Sequence, residues 1–103
     1  MKQTQNSFSV NDKELSRFAR ALSHPARIKI LKHLMQCKCC FTGNIVDILP
    51  LAQSTVSQHL KELKKAGLIQ GEISHPRVKY CIDRENFHKA QQLFAFFFNS
   101  FED

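Results

Sequence analysis

Apolar residues recur along this chain at helical spacing, switch to strict alternation, and then return to helical spacing. Leu15, Phe18, Ala19 and Leu22 fall three and four apart, the stripe of an amphipathic helix. The spacing predicts a helix from about Asp12 to Leu22, with Asn11 or Asp12 capping its free N–H groups. Ser23-His24-Pro25 breaks the pattern and restarts it, because proline is tolerated in a first turn. A second helix then turns Ile28, Leu31, Leu34 and Met35 inward and Arg27, Lys29 and Lys32 elsewhere. Thr42 or Gly43 opens a short third helix through Ile45, Val46, Ile48 and Leu49, which Pro50 ends, since the residue before proline is pushed out of the helical region. After the turn Pro50 to Ala52, a fourth helix covers about Gln53 to Lys65. Val56, Leu60 and Leu63 are its inner stripe and Gly67 its stop.

The period changes at Leu68. Leu68 to Ile73 and Val78 to Ile82 read as two short strands joined by Ser74-His75-Pro76-Arg77. In the second of them Val78, Tyr80 and Ile82 alternate with Lys79 and Cys81, as in a half-buried strand. Asp83 can cap a last helix from about Arg84 to Ser100, with Phe87, Ala90, Phe94, Phe97, Phe98 and Phe101 on one broad side. The fold is thus mainly α with a small β-hairpin wing. Its order of four helices, two strands and a closing helix is the winged helix-turn-helix plan.

Composition narrows the picture. At 103 residues and 43% hydrophobic content, one domain spanning 1–103 has material for a real core, with residues 1–10 expected to be flexible. No apolar run approaches the ~18 residues of a membrane span. Met1 to Asn11 is polar with a single lysine and does not read as a signal peptide, so a cytoplasmic location is expected. The net charge of +6 favours a polyanionic partner, although solubility alone can also explain it.

Two stretches resemble a known family. Leu22-Ser23-His24-Pro25-Ala26-Arg27-Ile28-Lys29-Ile30-Leu31 is similar to the L-x-x-P-x-R-x-x-I-L opening of ArsR/SmtB-type bacterial repressors. Leu51-Ala52-Gln53-Ser54-Thr55-Val56-Ser57-Gln58-His59-Leu60-Lys61-Glu62-Leu63 resembles their recognition-helix signature, and Lys65-Ala66-Gly67-Leu68-Ile69 continues it into the wing. The resemblance runs from about Leu15 to Phe101. It implies a homodimeric DNA-binding repressor of a near-palindromic operator, often released when a metal ion, metalloid or oxidant reaches a cysteine or histidine site.

The residues suit that role. A major-groove helix must present donors and acceptors to base edges, and Gln53, Ser54, Thr55, Ser57, Gln58 and His59 form one polar run at the start of the recognition helix, Gln53 to Lys64. Lys61, Lys64 and Lys65 lie farther along, where phosphate contacts are expected. Arg77 at the hairpin tip and Lys79 on its outward face suit a minor groove or a phosphate. The last helix is apolar over too much of its circumference for one small core, because Leu93 and Phe96 lie off its main stripe. Residues 11–22 and 84–101 are therefore expected to pair two subunits through Leu15, Phe18, Phe87, Phe94, Phe97 and Phe98.

The cysteines leave several readings open. Family members with a metal or arsenite site near the third helix carry a Cys-x-Cys pair, but here the matching positions are Cys40-Phe41-Thr42. Cys37, Cys39 and Cys40 are candidate thiolate ligands for a metal ion or arsenite. His33 with Cys37 and Cys40 supplies three of the four ligands of a tetrahedral zinc, with Cys81 conceivable as the fourth. A redox pair such as Cys37 with Cys81, and thiols with no sensing role, are the other readings. The family's second metal site, on the last helix, is not matched, because His88 stands there without a second histidine. An enzyme is not expected: no cysteine has both a histidine base and an orienting partner in view. The alternative to a repressor is a winged-helix module for protein–protein contact without specific DNA binding.

Overall fold

The computed structural model describes residues 7–36, 40–44, 47, 49–74 and 77–102. In chain order these form α1 (Val10–Ala21), α2 (Pro25–Gln36), β1 (Phe41–Asn44), α3 (Gln53–Ala66), β2 (Ile69–Ser74), β3 (Arg77–Ile82) and α4 (Arg84–Asn99). The winged architecture is as the sequence predicts, with different details. Helix α1 starts ahead of Asp12 because Ser9 is the cap: its hydroxyl accepts from the Asp12 N–H at 3.0 Å. Asp83 caps α4 as expected, accepting from the Asn86 N–H at 3.2 Å.

The clearest correction lies at Thr42 and Gly43. They were expected to open a helix and instead belong to β1, an antiparallel partner of β3 with Phe41 opposite Tyr80 and Thr42 opposite Lys79. The sheet order is β1-β3-β2. The free edge of β3 offers unpaired N–H and C=O groups to this segment. Phe and Thr favour a pleated surface while Gly disfavours a helix, so pairing across the fold decides the conformation. Ile45, Val46 and Ile48, expected in the short helix, lie outside the described residues.

One apolar cluster joins the layers. Phe18 of α1, Ile30, Leu31 and Leu34 of α2, and Val56, Leu60 and Leu63 of α3 meet Leu68, Ile69, Val78 and Tyr80 of the sheet. Helix α2 is rotated from its expected setting: Ile30 is buried, while Ile28 and Met35 reach solvent. Phe18, predicted to pair subunits, is fully buried in this core, because the helix stripe it anchors is also the stripe that covers α3.

The end of α3 is closely specified. Gly67 has φ +90; its N–H donates to the Lys64 carbonyl at 3.0 Å and the Leu68 N–H to the Leu63 carbonyl at 3.1 Å. That is the Schellman arrangement, with its apolar contact supplied by the buried pair Leu63 and Leu68. Two side chains then take the last exposed carbonyls. Arg17 Nη1 donates to Ala66 O at 2.7 Å and Asn86 Nδ2 to Gly67 O at 3.0 Å. Helices α1 and α4 thereby hold the end of α3 in place.

Candidate nucleic-acid interface

Helix α3 buries Val56, His59, Leu60, Leu63 and Ala66. The opposite side is set by the 3.6-residue period: Ser54, Gln58, Lys61 and Lys65, spaced four, three and four apart, are all exposed. Thr55 is exposed beside this stripe, and Gln53 is half-buried at the helix start. Of the predicted readers, Ser54, Gln58 and Lys61 thus share one accessible side of α3, with Thr55 and Gln53 on its two flanks.

Three other predicted contacts are placed differently. Ser57 is 5% exposed and His59 8%, so the polar run is not continuous at the surface. His59 packs against α2 instead. Its ring lies 4.5 Å from that of His24, and its Nδ1 accepts a hydrogen bond from Arg27 Nε at 3.2 Å. Burial, and then the charges of His24 and Arg27, hold the His59 imidazole below the ordinary pKa of 6.5, because each disfavours the protonated ring. Lys64 lies on the third side of the helix, where its ammonium donates to the Gly71 carbonyl in β2. It ties the helix to the wing. His59 was expected among the outward readers, and no local signal identifies Arg27 as its partner, since the two lie 32 residues apart.

An acid also lies beside the basic stripe. Gln58 Nε2 donates to Glu62 Oε2 at 3.2 Å. This i,i+4 contact orients the Gln58 amide and leaves its carbonyl oxygen outward as an acceptor. Lys65, expected with Lys61 and Lys64 to lie near phosphates, completes the stripe.

The wing carries Arg77 and Lys79 on exposed positions of β3, flanking the buried Val78. His75 and Pro76 of the predicted tip lie outside the described residues. Lys79 stands between Thr42 of β1 and Glu72 of β2 in the sheet register, so its charge is partly offset by an opposite one. Gly71, with φ +147, lets β2 approach β3 closely; a Cβ there would collide with the Lys79 carbonyl.

Of the candidate thiols, Cys37 and Cys39 lie outside the described residues. Cys40 is joined by a disulfide to Cys81, with Cα atoms 4.4 Å apart. The pair extends the β1–β3 register by one step beyond Phe41 and Tyr80, at the short separation of a non-hydrogen-bonded cross-strand pair. Both sulfurs are engaged in that bond, and no group of three His, Cys, Asp or Glu among the described residues is arranged to hold a metal ion. His33 Nε2 is buried without a hydrogen-bond partner among those residues, and its ring meets Phe41 edge-on at 5.3 Å.

The predicted subunit contacts divide into two groups. Phe18 is core, and Leu15, Phe87 and Phe94 are half-buried. Phe97 and Phe98 are 57% and 66% exposed and sit beside the exposed Phe96 and Phe101. Among the described residues no helix is long and apolar enough to cross a membrane.

Comparisons with known proteins bear on the family and the fold. Residues 24–70 match the bacterial regulatory proteins of the arsR family. The chain is 46% identical over 61 residues to the transcriptional repressor SmtB of Mycobacterium tuberculosis, covering 59% of this chain and 44% of that one. It therefore spans less than half the length of that relative. Over 81 residues it is 31% identical to the transcriptional regulator CmtR of Mycobacterium bovis, covering 79% of this chain and 68% of that one. Among solved structures it resembles a homodimeric winged helix-turn-helix DNA-binding domain from Mycobacterium bovis, with a TM-score of 0.59, 25% identity, and coverage of 86% of this chain and 82% of the other.

Proposed function

The chain belongs to the ArsR family of bacterial regulatory proteins, and from that premise we propose that it is a cytoplasmic, homodimeric repressor that reads duplex DNA through α3. The observation that carries this reading is the exposed stripe of Ser54, Gln58 and Lys61, with Gln53 and Thr55 beside it, on a helix whose other side is anchored in the core. Gln58 pairs with a base edge, Ser54 and Thr55 reach bases or phosphates, and Lys61 and Lys65 take phosphates. Arg77 and Lys79 place the wing on the adjacent backbone. Ser57, His59 and Lys64 act from behind, setting how α3 sits on α2 and β2.

The exposed phenylalanines at the end of α4 support pairing about a two-fold axis, as in the homodimeric relative. Two copies of α3 then address half-sites about 34 Å apart. The disulfide favours a redox input over a metal one: while Cys40 and Cys81 are joined, neither can ligate. In a reducing compartment such a bond is reversible and informative.

The test is selection from a randomised duplex pool. Enrichment of a near-palindromic site, with discrimination weakened about tenfold or more by Gln58→Ala, is the expected result. Equal retention of all sequences would sink the repressor reading and favour a protein–protein module.

A further inference from the structure

A concavity of about 530 Å³ lies between the later part of α1, the start of α2 and the second half of α3, lined by Arg17, Arg20, Arg27, Lys65 and Glu62 among others. Four cations face one carboxylate, and that carboxylate already accepts from Gln58 at 3.2 Å. Arg17 already has both terminal nitrogens in use, with Nη1 on the Ala66 carbonyl at 2.7 Å and Nη2 on Glu14 at 3.1 Å. Arg27 uses Nε on His59, which fixes its guanidinium and leaves both terminal nitrogens as donors. The Arg20 guanidinium and the Lys65 ammonium make no ion pair or hydrogen bond among the described residues.

Three under-used cations held around one hollow repel one another, and an anion relieves that repulsion. A guanidinium fork matches two oxygens of a phosphate. The hollow is also well placed. Lys65 belongs at once to its lining and to the stripe of Ser54, Gln58 and Lys61, so the cleft opens at the edge of the surface that faces DNA. On a duplex read by that stripe, the sugar–phosphate strand bordering the major groove would pass there.

We infer that this cleft seats a phosphate-type oxyanion through Arg20, Arg27 and Lys65, supplied by a backbone phosphodiester of bound duplex. The inference rests on the DNA-binding reading of α3, but it concerns sequence-independent affinity. A free oxyanion has the same chemistry, so the test has two arms.

In the first arm, binding to a random-sequence duplex is measured against salt for the wild type, for Arg20→Ala/Lys65→Ala, and for Lys13→Ala/Arg84→Ala, which removes equal charge outside the cleft. Loss of that one phosphate contact lowers the log–log slope by about 0.9 in the cleft variant, and by clearly less in the control. In the second arm, inorganic phosphate is titrated into DNA-free protein and followed by amide chemical shifts. An unchanged slope, with phosphate binding to the wild type but not to the cleft variant, assigns the same seat to a free oxyanion. No difference between wild type and cleft variant in either arm overturns the inference. Failure to enrich a specific site from the randomised pool leaves both arms readable, so the two readings fail separately.

Discussion

Arg17 of α1 donates from Nη1 to the carbonyl of Ala66 in the last turn of α3 at 2.7 Å, a bond between residues 49 apart in sequence. The same guanidinium meets Glu14 at 3.1 Å, which Lys89 of α4 also reaches at 3.0 Å. The outer helices therefore grip the end of α3. Arg17→Ala should cost about 1 kcal/mol, at the low end for a bond to a charged donor, because water can replace part of it. Thermal unfolding should show Tm lower by about 4–8 °C; an unchanged Tm would mean that the Ala66 carbonyl is satisfied equally well by solvent.

His59 introduces a pH dependence. Its imidazole is held below 6.5 in the fold, first by burial and then by His24 and Arg27. The unfolded chain therefore binds its proton at higher pH than the native state, and stability falls as pH drops below about 6.5. The loss continues until the native His59 itself titrates. Denaturant midpoints for the wild type should decline between pH 7.5 and 5.5 more steeply than those of His59→Gln. Parallel curves for the two proteins would remove His59 from the account.

The Cys40–Cys81 bond closes a loop with a sequence separation of 41. On a chain-entropy basis such a crosslink contributes up to about 4 kcal/mol. Reduction, or Cys81→Ser, should lower the unfolding midpoint accordingly and release β1 from the end of β3. If the bond is the regulatory input, operator affinity of the wild type changes between oxidant and reductant, and affinity of Cys81→Ser responds to neither. A wild-type affinity indifferent to redox state would leave the bond with a structural role alone.

The end of α4 supplies a dimerisation test that does not disturb the core. Phe94 is packed against the core cluster, so Phe94→Asp would damage the fold as well as any interface. Phe98 is 66% exposed, and Phe98→Asp should give a folded monomer by sedimentation, with its circular dichroism unchanged. A mass that stays at twice that of the protomer would place the two-fold contact elsewhere.

The different fates of these residues show where sequence patterns reach their limit. The stripe of Val56, Leu60 and Leu63 was legible because a single helix fixes it by its period. The strand at Phe41–Asn44 was not, because its partner β3 lies nearly forty residues away and local spacing carries no information about that edge. Phe18 and Phe98 both read as aromatic residues on helical stripes, yet one is fully buried and the other faces solvent. What separates them is how α1 and α4 cross the rest of the molecule.

Local sequence set α3 as a helix with a polar run at its start, where it would begin and end, and a hairpin wing after it. These are local properties of capping, period and turn chemistry, backed by a long motif. Tertiary structure alone decided which of its polar residues face outward. Packing against α2 turned His59 inward onto Arg27, the bond to Gly71 drew Lys64 to the wing, and the approach of α1 gathered Arg20, Arg27 and Lys65 around one hollow. Each depends on how elements distant in sequence meet, which periodicity along one element does not encode.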